Sequence, residues 1–424
     1  MPAAKLAIEG GAKTATEEFP PWPWYTEEIA QAAIEPLRTG KTNYWTGPLG
    51  QQFEEAFAEW EGRTYGISTS SGTSALHVAL AGLNIGPGDE VIVPSYTFIA
   101  TSFAVCQALA VPVFADTVPN GHTISPESIR EKISERTKAI IPVHLYGCIC
   151  DMDAIMEIAE EHDLYVIEDT AQGHGGVYKG KKAGAVGHVG CFSFCQSKHF
   201  STGGEGGMVV TDNEEWLWQM RAFRDHGYDV KQRMGLLELE QELPYIHNSV
   251  GFNYRMTEMQ SAIGLKELER MDTWNMPTRK RNATVLDKEL GDVTQIAALP
   301  PNSEEVQNAY WWYPIVLDIE QLACDIGQFI KALEAEGVPC GNVQWPQGYK
   351  EKAFTEHNGF GEKKYPFESP DTRPEAVDYK NVFCPNAADM EAKCFWVPVH
   401  PTYELEHMKL IAAGINKVIA AYAK

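Results

Sequence analysis

The sequence predicts an α/β fold, with a mostly parallel central sheet sandwiched by helices and a smaller α+β unit after it. Two observations lead there. Between about residues 64 and 211, short apolar runs alternate with helical periods, as strands covered on both faces and joined by helices do. After about residue 270 the alternation stops, and the chain closes on a long one-sided helix.

The elements follow in order. The first 25 residues, rich in Pro, Trp and Glu (EEFPPWPWY), read as an irregular arm. Thr26 is placed to cap a helix through about Arg38, ended by Gly40. The spacing then predicts strands at 90–95, 111–116, 139–146, 164–169, 190–194 and 207–211. Between them, Leu76, Ala79, Leu80 and Leu83 share one helix face, and Ile155, Ile158 and Ala159 share another. A strand-like run NAYWWYPIVL (308–317) precedes a helix near 320–336. In the last helix Met408, Ile411, Ala412, Ile415, Val418, Ile419 and Tyr422 form one stripe. Segment 341–390 is dense in Pro, Gly, Asn and charge and reads as loop-rich.

Composition excludes several classes of function. Against 35 Lys+Arg stand 58 Asp+Glu, a net charge of −23. That balance disfavours nucleic acid and anionic membrane surfaces, whose phosphates need cations. No stretch approaches the ~18–20 apolar residues of a spanning helix, and the opening MPAAKLAIEGG does not read as a signal peptide. Nine cysteines, several inside apolar runs and without zinc-finger spacing, read as reduced thiols of a cytoplasmic protein with no metal site.

Five local features carry chemistry. Ser70-Ser71-Gly72-Thr73-Ser74 precedes an amphipathic helix, where small residues and the helix N-terminus can receive a phosphate. Such residues also cap ordinary helices. Asp169 closes the apolar strand LYVIED, at the strand end where ligands gather in open α/β sheets. A carboxylate there can keep a ring nitrogen protonated or cap a helix, and Gln172 is within reach of the same ligand. Its neighbour Glu168 points to the other face and receives no role. Lys198 is isolated in the apolar and Gly/Ser-rich stretch CFSFCQSKHFSTGGEGG, a setting that lowers an amine's pKa toward nucleophilic use. Ser193, five residues earlier, can add a hydroxyl to a phosphate. In Pro94-Ser95-Tyr96-Thr97-Phe98, after the strand EVIVP, an aromatic just beyond the strand end can stack on a flat ring or fill the core. Asn253 and Arg255, near the start of the helix 258–270, are anion ligands or capping and salt-bridge residues. A phosphate cradle, a ring-pairing carboxylate, a stacking aromatic and an isolated lysine together describe pyridoxal 5'-phosphate chemistry.

With SSGTSALHVAL, GDEVIVPSYTFIAT, VIEDTAQGHG, FSFCQSKHFSTGGEGG and GFNYRMTEMQSAIG in this order, the sequence resembles the DegT/DnrJ/EryC1/StrS family of pyridoxal phosphate-dependent sugar aminotransferases. The resemblance implies fold type I, the aspartate aminotransferase-like architecture. It implies an N-terminal arm over 1–25, a large cofactor-binding domain over 26–270 and a small C-terminal domain over 271–424. At matching positions, Lys198 stands as the lysine that forms the aldimine and shuttles the proton, and Asp169 as the partner of the pyridine nitrogen. Gln172 stands beside the cofactor's phenolic oxygen, and Phe98 stacks on the ring. Gly72, Thr73, Ser74 and Ser193 bind the phosphate. Asn253 matches a phosphate contact supplied to the neighbouring subunit, and a homodimer with shared active sites is implied. Some relatives carry histidine in place of the lysine and act as dehydratases. Here Lys198 keeps the position and His199 only follows it.

The implied reaction is ping-pong, from glutamate or glutamine to a keto-sugar, which the larger branch of the family holds as a nucleotide sugar. The opening EGGAKT…FPPWPW and the QSK triplet resemble the branch that uses glutamine on cyclitol ketones. A catalytically silent regulator is the remaining alternative. Substrate contacts are expected from 20–47, 228–250 and 341–390.

Overall fold

In the computed structural model, residues 5–238, 246–342 and 347–424 are described. The strands β1 (Tyr65–Thr69), β2 (Glu90–Pro94), β3 (Val111–Ala115), β4 (Thr137–Ile140) and β5 (Tyr165–Asp169) come first. Two short strands, β6 (Val177–Tyr178) and β7 (Lys181–Lys182), precede β8 (Val189–Ser193) and β9 (Gly207–Thr211). The main sheet has the order β1-β9-β8-β5-β4-β2-β3. It is parallel from β3 through β8 and antiparallel where β9 joins β8 and β1.

The chain runs from β2 outward to β3, then crosses back to β4 on the other side of β2. Connections therefore leave β2 and β4 in opposite directions, which opens a crevice at their C-terminal ends. Strands β2 to β5 feed a cluster containing Val91, Ile92, Val93, Ile140, Val166 and Ile167, while Phe192 of β8 and Met208 and Val210 of β9 also feed a second one.

The helix Gly72–Gly82 covers the sheet with Leu76, Ala79 and Leu80. Helix Met152–His162 buries Ile155, Ile158 and Ala159. Thr26 caps Glu27–Thr39 through its hydroxyl, and Gly40 ends that helix in the left-handed region. The predicted strand 139–146 is shorter, because Pro142 has no N–H for the ladder and the chain turns at Tyr146, φ 58°. Unforeseen was the edge strand β1. Gly66 and Ser68 dilute its apolar signal, and a Cβ on Gly66 would lie 2.4 Å from the Glu54 carbonyl oxygen of the helix beneath.

The second sheet is built from β10 (Ile296–Ala298), β12 (Tyr313–Leu317), β13 (Gly341–Asn342) and β14 (Cys394–Val397), in the order β10-β12-β14-β13. Strand β11 (Val306–Gln307) instead pairs with β6. The predicted run 308–317 is a strand only from Tyr313, since Tyr310 takes a positive φ of 53°. Helix Ile326–Ala335 and the closing helix Leu405–Tyr422 pack on this sheet, and the latter buries the predicted stripe from Met408 to Ile419. Within 341–390, Tyr349, Phe354, Phe367 and Tyr379 join the main core against Phe114 of β3. Of the segments expected to touch substrate, 239–245 and 343–346 lie outside the described residues. No helix among the described residues is long and apolar enough to cross a membrane.

Candidate active site

A cavity of about 510 Å³ opens at the C-terminal ends of β2, β4, β5 and β8. Each side contributes what its local sequence dictates. Strand β5 ends in Asp169, whose carboxylate accepts from the Thr101 hydroxyl at 2.8 Å and the Ala171 N–H at 3.1 Å. Burial raises its pKa, offset in part by those two donors and by Lys198.

The connection between β8 and β9 carries Lys198. Its Nζ lies 4.1 Å over the Trp311 ring. Burial lowers the amine to about 8, against the pull of Asp169, Cys195 and Glu205. An amine lowered this far holds a far larger unprotonated fraction at physiological pH than an ordinary lysine, which a nucleophile requires.

The third side is the N-terminus of the helix Gly72–Gly82. Ser71 and Ser74 form a capping box: the Ser71 hydroxyl accepts from the Ser74 N–H at 3.1 Å, and the Ser74 hydroxyl accepts from the Ser71 N–H at 2.9 Å. The first N–H groups of a helix have no carbonyl four residues back. Here Gly72 and Thr73 bring theirs to the cavity wall at the positive end of the helix. A Cβ on Gly72 would sit 2.6 Å from the Ser193 Cβ, so only glycine lets the cap close on β8.

Lys198, Asp169, Gln172, Phe98, Gly72, Thr73 and Ser193 thus line one cavity. Gln172 is buried and accepts the Tyr146 N–H at 2.7 Å. Phe98 is 49% exposed at the mouth. Two predicted residues lie elsewhere. The Ser74 hydroxyl is committed to the cap, where it also donates to the Ser71 carbonyl at 2.8 Å. Asn253 is exposed, away from this cavity, and bridges the backbone of Asp225. Beside it Arg255 pairs with Asp225, and the helix Glu258–Glu269 is capped by Thr257.

Among the described lining residues Lys198 is the single cation, beside the carboxylates of Asp169 and Glu205. The donor set suits a flat phosphorylated pyridine. A carboxylate that lacks a cation within bonding distance is kept ionised by a protonated ring nitrogen, and the helix end and hydroxyls suit the phosphate.

A sequence model of the DegT/DnrJ/EryC1/StrS aminotransferase family matches residues 23–416. The chain belongs to this family. It is 40% identical over 305 residues to a GDP-perosamine synthase of Caulobacter vibrioides, covering 71% of this chain and 78% of that one. It is 37% identical over 302 residues to an L-glutamine:2-deoxy-scyllo-inosose aminotransferase of Streptomyces lividus, covering 69% and 70%. The crystal structure of an aminotransferase from Psychrobacter cryohalolentis superposes with a TM-score of 0.86 at 36% identity, over 96% of this chain and all of that one. The protein is a pyridoxal phosphate-dependent aminotransferase of fold type I.

In this aminotransferase, sequence reasoning missed Thr101, Trp311 and Trp312. Thr101 stands in the first turn of a helix whose apolar residues carry no polar signal. The two tryptophans read as strand core, and only the turn at Tyr310 brings them to the cavity. Trp22 of the arm was also unforeseen, and its indole N–H donates to the Lys198 carbonyl at 2.8 Å.

Proposed function

We propose that this aminotransferase moves an amino group from glutamate or glutamine to the ketone of a nucleotide-linked keto-sugar, by a ping-pong route. The observation that carries the reading is the meeting of the Lys198 amine and the Asp169 carboxylate in one cavity with the N-terminus of the helix Gly72–Gly82. Bound pyridoxal phosphate supplies an electron sink for the carbanion at the amino acid's α-carbon.

The chain's own groups do the rest. Lys198 would hold the cofactor through its amine, and the free amine would carry the proton from the α-carbon. A pKa of about 8 suits both tasks, since the amine must lose and regain a proton near neutrality. Asp169 keeps the ring nitrogen protonated, and the Thr101 hydroxyl holds its carboxylate in place. Gln172 and Phe98 line the same cavity, where Gln172 would meet the phenolic oxygen and Phe98 would stack on the ring. Gly72, Thr73 and Ser193 bind the phosphate with N–H groups and hydroxyls, as expected where cations are scarce. Asn253 serves the cavity of a second copy in a homodimer.

A second reading has its own support. With two carboxylates and one cation lining the described cavity, an uncharged cyclitol ketone with glutamine as donor suits the wall. The similarity to the Streptomyces lividus enzyme agrees with it. Purified protein should show a visible absorption band that bleaches with glutamate or glutamine. Turnover is then followed against a panel of nucleotide keto-sugars and inososes. Amination of inososes alone would overturn the first reading, and a band that no donor bleaches would overturn both.

A further inference from the structure

Lys198 rests on an indole at the end of a stacked column, an arrangement that the aminotransferase reaction alone does not explain. Beneath its Nζ lies the Trp311 ring, at 4.1 Å from the centroid. The Trp311 N–H donates to the carbonyl of Ser197, the residue before the lysine. Arg279, fully buried, donates to the carbonyls of Tyr310 and Trp311 at 3.1 Å each. Trp311 is therefore held through its own backbone and, in turn, holds the backbone of the lysine.

The ring has a further support. Trp311 stacks on Trp312 with centroids 3.7 Å apart, and Trp312 stacks on Trp396 at 3.8 Å, with interplanar angles of 20° and 10°. Trp396 lies on β14, directly opposite Gly341 of β13. A Cβ on Gly341 would sit 2.3 Å from Cζ2 of Trp396. Any side chain there would force the outer indole out of its present place. The Trp396 N–H donates to the Asn342 carbonyl at 2.8 Å and ties that indole to the same strand. The column thus runs from the second sheet to the reacting amine without a gap.

We infer that Trp311 is a positioning residue for Lys198, and that the column Trp311–Trp312–Trp396, closed by Gly341, fixes where the indole face meets the amine. The inference rests on the reading of Lys198 as the reacting amine. Physically, an aromatic face stabilises the ammonium form over the free amine. It opposes the burial that favours the free amine, and so keeps the group able to accept a proton as well as lose one. A flexible ring would spread this contact over many distances, and close packing on both sides of Trp312 prevents that.

The test uses the full chain freed of cofactor, so it is independent of turnover. Acetic anhydride labelling of Lys198 across a pH series, read from the mass of its peptide, gives the midpoint of the amine. The wild-type midpoint is expected near 8. Trp311→Leu keeps the site apolar and removes the π face, and should lower the midpoint by about half a unit to one and a half units. Trp311→Phe retains a face and should recover most of that shift. An unchanged or raised midpoint in Trp311→Leu overturns the inference.

Gly341→Ala tests the column from its far end without touching the cavity, and remains informative should Trp311→Leu fail to fold. It should reduce the near-ultraviolet circular dichroism of the coupled indoles and shift the Lys198 midpoint. A normal midpoint, or an undisturbed indole signal, would show that Gly341 does not hold the column. Lys198→Ala that still bound the cofactor covalently would instead sink the reading of the lysine, and would leave the labelling result standing.

Discussion

Glu168 and Asp169 are consecutive residues of β5, and their carboxylates enter two regions of opposite character. Glu168 turns away from the cavity into a fully occupied nest. It accepts the N–H groups of Gly184 and Val186 at 2.8 Å each and of Gly187 at 2.5 Å, and it meets the His144 Nε2 at 3.0 Å. The Cys150 N–H donates to the His144 Nδ1 at 3.2 Å, which leaves the ring proton on Nε2, facing the carboxylate. Burial pushes the Glu168 pKa up, but these donors outweigh it and hold the carboxyl below its usual range. Asp169 has one hydroxyl and one N–H, and its pKa is raised. A buried carboxylate whose acceptors are filled is structural, and one left short of donors beside a cavity is set for a ligand.

Substitutions should separate the two regions. The largest effect belongs to the cavity. Lys198→Ala should reduce turnover by at least ~100- to 10,000-fold from lost proton transfer alone, with an unchanged melting curve; ordinary turnover would remove the lysine from the reaction. Asp169→Asn should lower kcat on the order of 100- to 1000-fold while chemical denaturation stays near wild type. A stability loss without a kinetic one would reverse the comparison.

Glu168→Ala should do the opposite. Stranding His144 and three N–H groups should destabilise the protein by ~3–5 kcal/mol, read as a shift in urea midpoint, with the cofactor still retained by the folded fraction. The pH dependence follows from the lowered carboxyl pKa. Its contribution is present above the unfolded carboxyl value and is lost as pH falls through the folded one. Wild-type stability should therefore fall more steeply below about pH 4.3 than that of Glu168→Ala, and parallel curves would refute the assignment. The smallest effect is Ser71→Ala, which removes a cap worth ~1 kcal/mol. If it instead abolished cofactor binding with stability unchanged, the hydroxyl would be a phosphate ligand rather than a cap.

The same contrast explains what could be read from the sequence. Asp169 was legible because it closes an apolar strand run and Lys198 because it stands alone in an apolar and Gly/Ser-rich stretch, and a charged residue in such a setting needs a reason. The strands with near-continuous Val and Ile were legible for the same cause. Glu168 carried the same interruption, but its partners lie at 144 and 184–187, and no local pattern announces them. Ser74 and Gly72 shared one motif, yet their tasks diverged, since one hydroxyl closed the cap and one missing Cβ admitted Ser193. Trp311 was hidden because an apolar run such as NAYWWYPIVL does not disclose a turn that depends on a single positive φ.

The arm has a consequence of its own. Glu336 receives the N–H groups of Ala7 and Thr14, the Thr14 hydroxyl and the Lys417 amine, all at 2.7–2.9 Å. Phe19 packs on Tyr403 and His407, and Trp22 stacks on His400 before reaching the Lys198 carbonyl. This stretch works as a strap buckled to the closing helix at one end and to the loop that carries Lys198 at the other. A protease that nicked it between Thr14 and Trp22 would leave every cavity residue in place and still loosen the lysine's backbone. Integrity of the strap, checked by intact mass, is therefore a condition for comparing kinetics between preparations.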